Sequence, residues 1–217
     1  MEKLSTKSIE TSVSRTAPVI TPGNHTMKIN KFYLQAPNYA SKHEKEYFLV
    51  FDLESKPVTD QNFQGFKDEN GRPYAGQIGR VKYSRYSFVE GKELPDGRKT
   101  SIVNDIMLAM VNLSNSLGQR DVLDSIEANT IEELVTMASS ALCPTAFLDF
   151  CVGGKEYEGK SGYINYDMYL VKSSRGNYAF GPEGSDKVIT YNADEHLIKK
   201  EEKPISGFNG ANSLEDF

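Results

Sequence analysis

The stretch YAGQIGRVKYSRYSF, residues 74–88, alternates cations with apolar and aromatic side chains, and no carboxylate interrupts it. If this stretch forms a β-strand, successive side chains point to opposite faces of the sheet. One face would carry Arg80, Lys82, Ser84 and Tyr86, and the other would carry Val81, Tyr83 and Arg85. The sequence therefore predicts a strand with one basic and aromatic face.

Two interpretations fit such a face: a nucleic-acid-binding surface and an ordinary solvated surface. Cations pair with phosphates and flat rings stack with bases, and together they hold single-stranded nucleic acid. The same residue types also occur on an ordinary solvated sheet face that needs no ligand. The strand alone slightly favours the solvated face, so its setting in the chain decides between the two.

The composition limits the fold and the partners. A chain of 217 residues with 38% hydrophobic content can bury a substantial core in one domain. The net charge of -5 and the pI near 5.4 argue against a protein that binds duplex DNA by being basic throughout. The charge is uneven, because residues 72–99 hold seven bases and three acids, whereas residues 121–149 hold six acids and no base. A polyanion would bind the first segment and avoid the second.

Patterns typical of catalysis or metal binding are absent from the sequence. The three histidines are far apart, and there is no phosphate-binding loop, dinucleotide fingerprint or nucleophile elbow. We therefore expect no enzyme activity, no cofactor and no metal. The spacing leaves open a zinc site made by Cys143, Cys151 and His196, although two buried, reduced thiols and an exposed imidazole are favoured. With no apolar run of membrane-spanning length and no signal peptide, we predict a cytosolic protein.

Alternating apolar residues predict five strands. In the first, residues 26–34, the apolar phase changes between Ile29 and Phe32, which indicates a bulge near Asn30 or Lys31. The remaining strands are predicted at residues 47–54, 74–88, 146–152 and 163–172, and the last two form a hairpin.

Helical spacing replaces the alternation between the third and fourth strands. Apolar residues recur at intervals of three and four over residues 101–117, and Gly118 follows at the position of a C-cap. A short second helix is predicted over residues 121–128. A third helix is predicted to begin at the capping box of Thr130 and Glu133.

Three strands, a helical segment and two strands is the order of elements in an OB-fold, in which the ligand lies over strands two and three. We therefore predict a mainly β (α+β) protein, an OB-fold-like five-stranded barrel with a helical insertion between strands 3 and 4. Other arrangements of helices and a sheet share this order. The barrel domain is expected over residues 21–195, with helices at about 100–143, a flexible arm over 1–20 and a flexible tail over 196–217.

The sequence at residues 213–217, Ser-Leu-Glu-Asp-Phe, adds a second feature. With the strand order, it makes the chain resemble the OB-fold single-stranded-DNA-binding proteins of bacteriophages and bacteria, which end in a flexible acidic tail with a terminal Phe. The resemblance covers residues 22–172 by layout and 207–217 by motif. This chain departs from the family in having only two acids at its tip and a larger helical segment.

The resemblance implies a protein that coats and protects single-stranded DNA during replication and recombination, in the host cytoplasm if a phage encodes it. It also implies that replication or recombination proteins are recruited through a tail of Leu214, Glu215, Asp216 and Phe217. A membrane partner is not expected, and self-association into a homo-oligomer is left open.

The candidate binding residues belong to the basic strand and to two predicted loops, residues 35–46 and 153–162, that flank the ligand face of an OB-fold. They are Arg80, Lys82, Arg85, Tyr86, Tyr83, Tyr39, Lys42, Lys45, Lys155, Lys160 and Tyr163. The main alternative is a structural or assembly protein of the virion type, in which the helical segment and Phe217 contact other proteins. A metal-dependent nuclease ranks well below both.

Overall fold

Two long antiparallel strands begin the fold. The computed structural model describes residues 16–43, 45–143, 146–174 and 176–201. β1 (Gly23–Gln35) pairs with β2 (Glu46–Pro57), and the register of this pair shifts between Ile29 and Lys31. The predicted bulge in the first strand is confirmed.

Further strands close these two into a barrel. β3 (Gly76–Lys82) pairs antiparallel with β2, and the short β4 (Phe88–Val89) pairs with the beginning of β2. β5 (Leu148–Glu158) pairs antiparallel with both β1 and β6 (Ile164–Leu170), and β6 runs parallel to β3. The order β1-β2-β3-β6-β5 therefore returns to β1. This is the predicted OB-fold-like barrel of five strands.

The helical segment lies between β4 and β5. It contains α1 (Ile102–Ser116), α2 (Arg120–Asp124) and α3 (Ile131–Leu142). The side chains of Ser101 and Thr130 accept N–H groups of the first turns of α1 and α3, as capping residues do. The second helix is shorter than the sequence predicts. Among the described residues, no helix is both long enough and apolar enough to cross a membrane.

One apolar core joins the barrel and the helices. The rings of Phe32 on β1 and Phe51 on β2 have centroids 5.9 Å apart, and Val81 of β3 is completely buried in the same cluster. Beside the bulge, the N–H of Phe32 donates to Ser139 Oγ of α3 at 2.9 Å. The pairing of β1 with β5 ends at Met27, so this backbone donor on the later part of β1 is satisfied by the helix, and the helical segment packs as part of the barrel domain.

The residues before β1 also belong to the barrel. The N–H of Ile78 on β3 donates to Pro18 O at 2.9 Å, and the N–H of Ile20 donates to Ile78 O at 3.0 Å. Ile20 is only 4% exposed, and its Cδ1 lies 2.4 Å from the position that a Cβ on Gly79 would occupy. Residues 18–20, which fall within the predicted flexible arm, therefore pack along β3, while residues 1–15 lie outside the described chain.

Replacement of Ile20 by Ala is expected to lower the free energy of unfolding by about 2–4 kcal/mol, because it removes a buried side chain and leaves a cavity over β3. Urea denaturation would measure the loss. The matched control is Val19→Ala, since Val19 is 42% exposed, and we expect it to change stability by less than about 0.5–1 kcal/mol. Equal effects of the two substitutions would contradict this packing.

The basic strand is shorter than the sequence predicts. Regular pairing of β3 ends where Lys82 faces Val50 of β2. The N–H of Tyr83 still donates to Leu49 O at 2.8 Å, and residues 84–87 then leave the sheet before β4 begins. The predicted alternation of faces over residues 74–88 holds for Tyr83, which packs on the core side with Val81, and is wrong at Arg85, which lies on the side of Arg80 and Lys82.

β5 extends further than predicted. Residues 153–158, predicted as part of a loop, continue β5, so the hairpin connection to β6 is short. β7 (Phe180–Pro182) pairs with β5. After α4 (Ala193–His196), β8 (Leu197–Ile198) runs parallel to β5. Leu197 and Ile198, which fall within the predicted flexible tail, therefore pair with the barrel.

Candidate nucleic-acid interface

A groove of about 1250 Å³ crosses the outer face of β2 and β3. Successive side chains of β2 point to opposite faces of the sheet, so Leu49 and Phe51 enter the core while Phe48 and Asp52 form part of the floor of the groove. Residues 35–39 line part of it, and side chains of β5 and β6 line another part. Its charged side chains are Arg80, Lys82, Arg85, Lys155, Asp52 and Asp167.

Arg80 lies in a row of charges that crosses three strands. Asp52 of β2 pairs in register with Lys31 of β1 on one side and with Arg80 of β3 on the other. Arg80 Nε donates to Asp52 Oδ1 at 3.0 Å, and Lys31 Nζ lies 3.7 Å from Asp52 Oδ2. The hydrogen bond to Asp52 raises the pKa of Arg80. The guanidinium also lies 5.9 Å from the centroid of the Tyr33 ring.

Lys82 is held in a similar way. Its Nζ lies 2.8 Å from the carboxylate of Asp167 on β6 and 4.2 Å from the centroid of the Phe48 ring on β2. Both central cations of the groove therefore contact one carboxylate and one aromatic ring. A ligand phosphate would have to share or displace the carboxylate.

Arg85 and Tyr86 lie in the segment that leaves the sheet after β3. The guanidinium carbon of Arg85 stacks 4.6 Å from the centroid of the Tyr86 ring, and the Tyr86 side chain is 67% exposed. Both residues line the groove. The sequence predicts Arg85 on the same face as Val81, and this prediction is wrong. Within the described ranges, no carboxylate forms an ion pair with Arg85.

Tyr83 is a correction to the candidate list. Its ring packs 6.2 Å from the centroids of both Phe51 and Phe88, against the core. Its hydroxyl accepts a hydrogen bond from Asn112 Nδ2 of α1 at 3.3 Å. Tyr83 does not line the groove, so this tyrosine joins the barrel to a helix and is not available for stacking with a base in the groove.

Tyr39 lines the groove from the loop between β1 and β2, and Glu46 holds it there. The Glu46 carboxylate, on a residue 9% exposed, accepts hydrogen bonds from Ser41 Oγ and Ser87 Oγ at 2.5 Å each and from the Tyr39 hydroxyl at 2.6 Å. These bonds, those from Ser41 and Ser87 foremost, lower the pKa of Glu46 to about 2. One carboxylate thus joins the loop to the segment that precedes β4.

This cluster predicts a pH-dependent stability. The pKa of Glu46 is lowered from 4.5 to about 2 in the folded protein, so the stability that its ionised form contributes is present above pH 4.5 and is lost as the pH falls toward 2. We expect Glu46→Gln to destabilise the protein most at neutral pH, with a difference that shrinks below pH 4.5. Chemical denaturation across this range measures it. The exposed Glu127→Gln serves as the control, and a difference for Glu46→Gln that did not change with pH would contradict the prediction.

The remaining candidates are divided between the groove and its surroundings. Lys155 lines the groove from β5, in register with Asp167. Lys160 and Tyr163 are exposed at the β5–β6 turn, and Lys42 and Lys45 are exposed in the loop before β2. None of these four lines the groove. The tail residues Leu214, Glu215, Asp216 and Phe217 lie outside the described residues.

Several groove residues were not among the sequence candidates. They include Phe48, Asp52, Tyr166 and Asp167. The alternation of residues 47–54 contained the signal for Phe48 and Asp52, because both lie opposite the apolar positions that enter the core. For Asp167 the sequence contained no such signal, since its contact with Lys82 depends on how β6 meets β3.

Comparisons with protein-family models, curated proteins and solved structures found no match. In the part of the chain that the structure describes, no group of three or more His, Cys, Asp or Glu residues could hold a metal ion. Of the residues considered for zinc, Cys151 Sγ lies 4.0 Å from His196 Nδ1, while Cys143 Sγ contacts Ser139 Oγ at 3.8 Å. Burial raises the pKa of Cys151 to about 11, which disfavours the thiolate that metals require.

Proposed function

We propose that this protein binds single-stranded DNA, without catalysis, in the groove across β2 and β3. The observation that supports the proposal is the pairing of cations with aromatic rings there: Lys82 lies over Phe48, and Arg85 lies over the exposed ring of Tyr86. An OB-fold-like barrel presents its ligand face over these two strands. Cations for phosphates and rings for bases are both needed to hold a single strand.

In this proposal the two kinds of group have separate tasks. Arg85 and Lys155, together with Arg80 and Lys82, neutralise phosphates and release counterions, so that the affinity falls as salt rises. Tyr86 accepts a stacked base on the ring face that Arg85 does not cover, which contributes about 1–3 kcal/mol. Binding of this kind tolerates many sequences, because every base has a flat face.

The proposed biological role is to coat and protect single-stranded DNA during replication and recombination. Recruitment of replication or recombination proteins is assigned to Leu214, Glu215, Asp216 and Phe217, whose acids suit a basic pocket and whose apolar side chains suit its floor. Deletion of these four residues is expected to preserve or tighten DNA binding and to abolish partner capture in pull-downs from cells. Capture of the same replication proteins by the truncated protein would refute this part.

The experiment that tests the proposed function is fluorescence anisotropy with a labelled oligo-dT and a labelled duplex of the same length, at low and moderate salt. Tight binding of the single strand that weakens steeply with salt, with little duplex binding, is the expected result. If neither nucleic acid binds, the groove is not a nucleic-acid site and the proposal fails.

Assembly with other proteins is the second candidate, and one observation favours it. Val103, Met107 and Leu108 of α1 are apolar and about half exposed, and exposed apolar patches mark contact surfaces. In this alternative the cations of β3 are solvated. Failure to bind single strands, together with formation of a defined large particle in sedimentation, would favour it.

A further inference from the structure

Two carboxylates lie among the cations of the groove, where a site for a polyanion would be expected to have none. The groove is lined by Arg80, Lys82, Arg85 and Lys155, and also by Asp52 and Asp167. Acids in this position repel phosphates and occupy the donors that phosphates would use. Because the two acids weaken the binding of phosphates, their presence in the groove indicates a role other than raising affinity.

Asp52 is the better shielded of the two. Its side chain is 19% exposed, it lies between Lys31 and Arg80, and it accepts the hydrogen bond from Arg80 Nε at 3.0 Å. The Arg80 side chain is 67% exposed, so a ligand can reach the guanidinium while the carboxylate holds its other side.

Asp167 has the same relation to Lys82. The distance between the carboxylate and Nζ is 2.8 Å, and the two residues come from different strands, β6 and β3. Ion pairs with this degree of exposure are weak, on the order of 0–1 kcal/mol. They can therefore open for a ligand that binds well by other means, and each one reduces what a phosphate alone would gain.

We propose that Asp52 and Asp167 are specificity determinants that compete with phosphates for the groove cations and thereby discriminate against duplex nucleic acid. The inference rests on the proposed function. A duplex binds non-specifically through its phosphates alone, since its bases are stacked inside. A single strand also gains from stacking on aromatic rings. When Asp52 and Asp167 neutralise Arg80 and Lys82, the duplex therefore loses a larger fraction of its binding free energy than the single strand does. The two acids thus act as a repulsive element that discriminates between the two ligands.

The test uses Asp52→Asn and Asp167→Asn in the full chain. Each substitution removes the charge and keeps an oxygen that accepts a hydrogen bond from the cation. The matched control is Asp96→Asn, because Asp96 also forms an ion pair, with Arg98 at 2.7 Å, and does not line the groove. Dissociation constants for an oligo-dT and for a duplex of equal length are measured at several salt concentrations.

We expect both groove variants to bind the duplex about fivefold more tightly and the single strand about twofold more tightly than the unaltered protein. The salt dependence for the single strand should steepen by less than about 0.7 per freed cation, because each cation already contacts a phosphate in part. Asp96→Asn should leave the affinity for the duplex, the affinity for the single strand and the salt dependence unchanged.

Groove variants that behave like Asp96→Asn, or that bind the single strand more weakly, would overturn the inference and leave the proposed function intact. A protein whose unaltered and variant forms bind neither nucleic acid would overturn both. The two failures are thus distinguished by the unaltered protein.

Discussion

Replacing both Arg80 and Lys82 by Ala is expected to weaken binding of a single-stranded oligonucleotide by about tenfold or more and to reduce the slope of its salt dependence by at most about 1.4, the limit set by about 0.7 per phosphate contact. The loss has two sources. Two cations disappear from the floor of the groove, and Asp52 and Asp167, which they neutralise at 3.0 and 2.8 Å, are left facing the phosphates.

The control for this pair is Arg98→Ala with Lys99→Ala. It changes the net charge by the same amount, and neither residue lines the groove. Anisotropy titrations of both double variants at three salt concentrations separate a local effect from an effect of total charge. Equal weakening by the two double variants would show that binding follows net charge, and an unchanged affinity of the Arg80 and Lys82 variant would remove these residues from the site.

The second large effect is expected at Tyr86. Tyr86→Ala should weaken single-strand binding by about 1–3 kcal/mol, the value of one stacked base, and should leave the salt slope unchanged because no charge is lost. The Tyr86 side chain is 67% exposed, and Arg85 stacks on its ring at 4.6 Å. Tyr86→Phe keeps the ring and should retain most of the affinity. If Tyr86→Phe lost as much as Tyr86→Ala, the hydroxyl and not the ring would be the binding group.

The order of elements was predictable because each element has a local cause. The change of apolar phase in β1 predicts one extra residue in the strand, and the register of β1 against β2 shifts accordingly between Ile29 and Lys31. Ser101 and Thr130 begin helices because their side chains accept backbone N–H groups of the first turn. The order strand, strand, strand, helices, strand, strand followed from these local signals and was sufficient to predict the barrel.

The predictions failed where the outcome depends on strand pairing. Alternation continues in the sequence beyond Lys82, but β2 pairs with β3 only as far as Val50 and pairs with β4 at Tyr47. The chain therefore leaves the sheet after Tyr83, which still packs toward the core as the alternation predicts, and Arg85 lies toward the groove instead of the core. No local pattern contains this information.

The same limit applies to the candidate site. Arg80, Lys82, Arg85 and Tyr86 were predictable as one cluster because they are neighbours in sequence. Their acidic partners were not, since Asp52 lies 28 residues from Arg80 and Asp167 lies 85 residues from Lys82. The sequence indicated where a polyanion could bind, and the pairing of distant strands determined how strongly the cations are neutralised.

Residues 18–20 have a consequence for the behaviour of the protein in solution. The backbone N–H and C=O of Ile78 both bond to this segment, which covers β3 on the side away from β2. An uncovered strand edge is a template on which another chain can add a strand. Proteolytic removal of the chain as far as Ile20 would uncover that template beside the groove, so loss of the segment before β1 would leave an open strand edge on which a second copy of the protein could associate.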